Sequence, residues 1–271
     1  MENVLQNGLV YLIPLSFIYW CANEKKGLGL GIAMFFSIWL NIVLNHVPFL
    51  PAISLNAQTS FVVCFIVASL KKENVFYFIA VALSLLTAFA VFTLGGYSLP
   101  EIMAGWITGA AILCIYFLLG KRIEDLIAKG GIRAGMIAGA AVSFFMILYR
   151  PVTEVLMPGG MIIGLVAGFC LSKRMAEKLA AETGETLDCD TEQTIKIEQN
   201  TVSKYLLLSG RFLAGMAVLV LLFLATERLV TVFENSDNYD LVLFVRFALL
   251  SVWISAGAPR LFRLIRLADQ A

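Results

Sequence analysis

The chain has 271 residues, 60% of them hydrophobic and 14% charged, with a formal net charge of +1 and a mean hydropathy of +0.86. Soluble domains carry about 25% charged residues, so the composition excludes a water-soluble globular protein. A helix crosses the hydrocarbon core in roughly 20 residues, and apolar segments of about that length recur along the whole sequence.

Nine such segments run approximately over 5–22, 28–46, 53–70, 75–94, 101–120, 133–149, 156–172, 207–227 and 241–257. They are continuous and rich in Leu, Ile, Ala and Phe, whereas the strands of a membrane β-barrel alternate in pieces of about ten residues. The expected fold class is therefore all-α, a polytopic membrane bundle of about nine transmembrane helices. The first segment follows "MENVLQNG", which has neither a basic n-region nor a small-x-small cleavage site, and is expected to be a retained helix. The fifth ends at the basic amphipathic stretch "GKRIEDLIAKGGIR", which separates a first group of five helices, 1–128, from a second of four, 129–271. Within the second group, "GMIAGAAVS" and "GMIIGLVAGFC" have the small residues that let helix backbones approach closely. Between the seventh and eighth segments lies the long polar interval 173–204, whose first half is expected to be a short helix ending near Gly184. Its acidic middle reads as a solvated linker.

Lys and Arg alternate sharply between loops. Sixteen of them, from Lys25 and Lys26 through Lys71, Lys121 and Lys173 to Arg266, fall on one side, and only Arg150 and Arg228 on the other. The positive-inside rule then places the N-terminus outside and the C-terminus in the cytoplasm. Because these cations follow topology and form no separate patch, nucleic acid is not an expected partner. Cys21, Cys64, Cys114 and Cys170 lie in apolar segments and Cys189 in the polar interval, with no CxxC or Cys/His ligand spacing. One His and scattered carboxylates offer no credible metal set, so neither metal nor other cofactor is expected.

Three stretches carry a resemblance: "YWCANEKKGLGLGI" leading into the second segment, "AQTS" opening the third and "LGGYSLPEIMAGW" opening the fifth. On these, residues 19–126 resemble the membrane branch of the type 2 phosphatidic acid phosphatase superfamily. "LVLFVRFALLSVWISAGAPRLFRL" is similar to an extension found in some bacterial members. The resemblance implies a phosphatase-like core over 1–128, a C-terminal extension over 129–271 and a bacterial inner membrane location.

It also implies a site. Active members carry Lys-x6-Arg-Pro, Pro-Ser-Gly-His and Ser-Arg-x5-His-x3-Asp, whose cations surround the phosphate while one His attacks phosphorus and another protonates the leaving oxygen. Anchoring the third motif on "AGW" puts Ala90 and Val91 at Ser-Arg, Tyr97 at the nucleophilic His and Glu101 at the Asp. Anchoring the second on "AQTS" sets Ile53, Ser54, Leu55 and Asn56 against Pro-Ser-Gly-His. The first motif falls near "NHVPFLP", which contains no cation. No Lys or Arg occurs between Lys26 and Lys71 or between Lys72 and Lys121, and His46 is the sole histidine, so the two-histidine cycle has no reagents.

The residues expected to converge, Ser54, Asn56, Tyr97 and Glu101, therefore form a degenerate pocket that suits hydroxyl or amine groups better than phosphate. His46, beside Asn41 and Asn45, and Arg150, four residues before Glu154, are additional binding candidates. Each also has a structural reading. Glu101 follows Pro100 at a helix start, where a carboxylate is favoured, Ser54 and Asn56 suit capping, and Arg150 suits an ion pair. The sequence thus reads as a phosphatase-like pseudoenzyme that binds or scaffolds membrane lipids, with 173–204 as the segment open to a protein partner. The alternative is a lipid phosphatase or phosphotransferase with a site rearranged around His46, Tyr97, Glu101 and Arg150. Transport ranks last, for want of the intramembrane charges that mark such paths.

Overall fold

The computed structural model describes residues 8–71, 73–149, 153–183, 201–233 and 236–265. Arg150 and residues 184–200 of the polar interval lie outside the described residues. Those described form α1 (Gly8–Cys21), α2 (Glu24–Asn45), α3 (Leu55–Lys71), α4 (Asn74–Thr93), α5 (Leu99–Tyr149), α6 (Thr153–Thr183), α7 (Thr201–Phe233), α8 (Tyr239–Val252), a π-helical turn (Trp253–Gly257) and α9 (Ala258–Leu264). No strand occurs among them. Six stretches, Glu24–Asn45, Asn74–Thr93, Leu99–Gly120, Thr153–Glu177, Leu207–Phe233 and Tyr239–Arg263, are long and apolar enough to span a bilayer. Tyr11–Cys21, Leu55–Lys71 and Ala134–Tyr149 are shorter apolar helical stretches. Together they occupy the places of the nine segments read from the sequence.

One boundary differs. The segments 101–120 and 133–149 belong to a single helical element, because the intervening basic stretch is itself helical. Yet α5 turns back on itself. Gly105 packs against Ser54 and Gln58, Tyr116 lies against Gly29 near the start of α2, and Met146 accepts a hydrogen bond from Trp39 Nε1 at 3.3 Å. Gln58 is in turn bonded to Asn41, two residues from Trp39. A straight helix would hold Gly105 and Met146 about 60 Å apart at 1.5 Å per residue. Both instead sit beside one end of α2, so the element descends and returns.

Burial sorts the helices into centre and rim. The apolar windows of α2 and α6 are 72% and 78% buried, against 22% for α4 and 17% for α7. α2 and α6 form the axis of the bundle, and α4 and α7 present their apolar faces outward, as helices bathed in lipid do. One apolar cluster joins Tyr11 and Leu15 of α1, Phe35 and Ile38 of α2, Met161 and Leu165 of α6, and Phe247 and Leu250 of α8.

Lipid gives little hydrophobic drive for helix association, so close packing has to supply it. Gly160, Gly164 and Gly168 recur every four residues on α6 and face α8 and the π turn. A Cβ on Gly160 would lie 2.6 Å from the Phe244 carbonyl oxygen, and one on Gly164 would lie 2.9 Å from Ala248 Cα. In the π turn the Ala258 N–H bonds the Trp253 carbonyl, five residues back, and Pro259 has no N–H to give Ser255 or Ile254, so those two carbonyls lack helical partners. α1 takes them: Tyr19 donates its hydroxyl to the Ser255 carbonyl at 3.3 Å, and Trp20 Nε1 donates to Ile254 at 2.9 Å. Trp253 Nε1 reaches Gly215 of α7 at 3.3 Å.

The two ends of the bundle differ chemically. At one, Cys21 donates to the Leu208 carbonyl, and Arg263 and Lys173 act on Glu24. This is the basic end. At the other lie the α2–α3 and α4–α5 connections and the start of α8, where Thr153 donates to Asp240 at 3.2 Å.

Candidate functional site

The site expected from the sequence falls at the end opposite the basic residues, where local rules set each backbone. Gly96 has φ +68°, a left-handed conformation that glycine adopts without strain, and turns the chain from α4 toward α5. Ser98, Leu99, Pro100 and Glu101 then start α5 with the carboxylate half of a capping box. The Glu101 carboxylate accepts the Ser98 backbone N–H at 2.7 Å, three residues back. At the start of α3, Ser54 Oγ accepts the Ala57 N–H at 3.4 Å. The two helix starts are tied directly, Ser54 N donating to the Glu101 carbonyl at 3.2 Å.

Ser54 is fully buried, Glu101 and Tyr97 are half-buried and Asn56 is exposed. Asn56 Oδ1 accepts the Tyr11 hydroxyl at 3.1 Å, and Tyr97 lies within electrostatic reach of the same Tyr11. The Tyr97 ring packs with Trp106 against Ala57, Val91 and Ile102. Ser54 and Glu101 thus meet through backbone, and Asn56 is bonded to Tyr11. His46 caps the C-terminal end of α2, its Nδ1 2.7 Å from the Ile42 carbonyl. Arg150 lies outside the described residues.

Below this cluster, a buried amide network fills the space between α2 and α3. Gln58 donates through Nε2 to the Ser37 carbonyl at 2.9 Å and to its hydroxyl oxygen at 3.0 Å, and its Oε1 accepts Asn41 Nδ2 at 2.8 Å. Asn45 completes it, donating to Asn41 Oδ1 at 3.0 Å and to the Ile53 carbonyl at 3.0 Å while accepting the Ile53 N–H at 2.6 Å. The short α2–α3 connection is thereby pinned at its exit. Two buried polar atoms close by, Thr59 Oγ1 and Trp106 Nε1, have no hydrogen-bond partner.

Sequence reasoning picked out Asn41 and Asn45, whose spacing of four puts them on one helix face. It did not find Tyr11 or the central place of Gln58. Tyr11 gives no signal, being one aromatic among many in an apolar run, and Gln58 sits in "AQTS" at a helix start, where a polar residue suits capping.

Chemically, the cluster offers hydroxyl, amide and carboxylate groups. Among the described residues no three His, Cys, Asp or Glu side chains gather as a metal would require.

Apolar helices of membrane length around a buried polar cluster define a polytopic α-helical membrane protein. Residues 156–270 match the family model described as PAP2 superfamily phosphatase, transmembrane extension. The matched stretch lies wholly within 129–271. No curated protein and no solved structure matches the chain.

Proposed function

We propose that this protein is a catalytically silent relative of the lipid phosphate phosphatases that binds a lipid head group at the end of the bundle opposite its basic residues. In this reading residues 1–128 are the phosphatase-like core and 129–271 the extension. The membrane is a bacterial inner membrane, with the N-terminus outside and the C-terminus in the cytoplasm, and 173–204 is the segment open to a protein partner.

The observation that carries the proposal is where the motif positions spend their hydrogen bonds. Glu101, the one motif group kept in kind, caps its own helix. Asn56 accepts the Tyr11 hydroxyl, and an amide supplies no acid proton. A phosphoryl group needs cations around its equatorial oxygens, and the sequence supplies none from Lys26 to Lys71 or from Lys72 to Lys121.

The test is inorganic phosphate release by the purified, detergent-solubilised protein on a panel of polyprenyl and glycerolipid phosphates, with an active family member beside it. Silence on every substrate from a folded protein is the expected result. Turnover that disappears in Glu101→Gln, which keeps the capping geometry and loses the charge, would overturn the proposal and establish a rearranged phosphatase. Native mass spectrometry retaining no lipid would remove the binding half.

A further inference from the structure

At the basic end a cleft of about 420 Å³ opens between the end of α1, the start of α2, α7 and α9. Tyr19, Trp20, Glu24, Arg211, Phe262 and Arg263 are among the residues that line it. Its aromatic wall is fixed in place. Tyr19 and Trp20 are anchored on the π turn by their bonds to Ser255 and Ile254, and Trp20 meets Phe262 edge-on with ring centres 5.7 Å apart. Among the described residues of the lining are two guanidinium groups and one carboxylate, and Lys173 of α6 also acts on that carboxylate.

A cationic pocket with ring walls, at the ends of membrane-length helices, suits a molecule that is anionic at one end and apolar at the other. The planar fork of Arg matches phosphate oxygens in pairs. The volume falls within the range of about 300–1,000 Å³ usual for small-ligand sites. That accommodates a head group and its linker but not two acyl chains, which would run out along the apolar surface of α7.

We propose that this cleft binds the phosphate of a membrane phospholipid, with Arg211 and Arg263 holding the phosphate and Trp20 and Phe262 flanking the glycerol and first acyl carbons. The site is distinct from the polar cluster at the other end of the bundle and takes a lipid from the opposite leaflet. Glu24 limits how much negative charge the cleft accepts, so a singly charged phosphodiester is favoured over a doubly charged phosphomonoester.

The experiment measures binding of short-chain phosphatidylglycerol to the full-length protein in neutral detergent, with dioctanoylglycerol and glycerol phosphate as the apolar and soluble halves. Phosphatidylglycerol is expected to bind saturably and each half at least about tenfold more weakly, as charge-assisted bonds and apolar contacts are both lost. Arg211→Gln and Arg263→Gln should each weaken phosphatidylglycerol about fivefold or more. Glu24→Gln should tighten it about threefold, a gain that a damaged fold would not show. Equal binding of dioctanoylglycerol would overturn the assignment of phosphate to the arginines. Equal binding of glycerol phosphate would overturn the lipid assignment, and affinity unchanged in both arginine variants would overturn the site.

Discussion

Gly164→Ala tests the packing that joins α6 to α8. The added Cβ would stand 2.9 Å from Ala248 Cα and from its carbonyl carbon, and closer still to the oxygen. Carbon atoms pack at about 3.5–4.0 Å, so α8 must retreat by roughly 0.6–1.1 Å at this point. Backbone cannot rotate away as the tip of a side chain can. A radial gap of about 0.5–1 Å forfeits a quarter to a half of each van der Waals contact, and the neighbours losing contact include Phe247 and Leu250, both fully buried. The cost should reach about 2–3 kcal/mol, the upper part of the range for overpacking, and lower the melting midpoint by roughly 5–10 °C. The assay is the fraction of monodisperse protein on size exclusion after heating in detergent. Gly120→Ala is the control, since nothing lies within 4 Å of the added atom and Ala is the better helix former. A Gly164→Ala protein as heat-resistant as the wild type would refute the close approach of the two backbones.

Gln58→Leu should lower stability by about 1–3 kcal/mol, because Asn41 loses an acceptor and Ser37 a donor in a buried setting. Adding Asn41→Leu should cost less than the sum of the single changes, and additive melting shifts would argue against the network. Arg246 is 7% exposed, its Nη2 is 3.8 Å from Glu227, its guanidinium lies 4.4 Å from the Phe223 ring centre and its Nε is unpaired. Arg246→Met should therefore stay near wild-type stability, while Glu227→Leu, which strands the cation, should lower it clearly. The opposite order in melting midpoint would contradict this account.

Much of the fold was legible because a lipid-embedded helix leaves a strong one-dimensional trace. The nine apolar segments, the close-packing "GMIIGLVAGFC" and the Glu101 helix start could all be read locally, since hydropathy, small-residue spacing and capping act over a few residues. The continuous helicity of the basic stretch in α5 was not read, because charge there marked a loop. Nor was the π turn visible, for one extra residue in a helix has no compositional mark. The bond from Tyr11 to Asn56 is a contact across 45 residues, and periodicity does not carry such pairings.

The latch between α1 and the π turn also sets an order of events during synthesis. The Tyr19 hydroxyl finds its acceptor 236 residues later in the chain, and the Trp20 indole 234 residues later. At about 5–20 residues per second, the first hairpin waits roughly 12–47 s in the bilayer before those carbonyls are made. Throughout that interval the two donors, at the basic end, are left to water, and the inward face of α2 must be sheltered by the insertion machinery or by lipid. The last helices to enter the membrane are thus the ones that release the first from that custody.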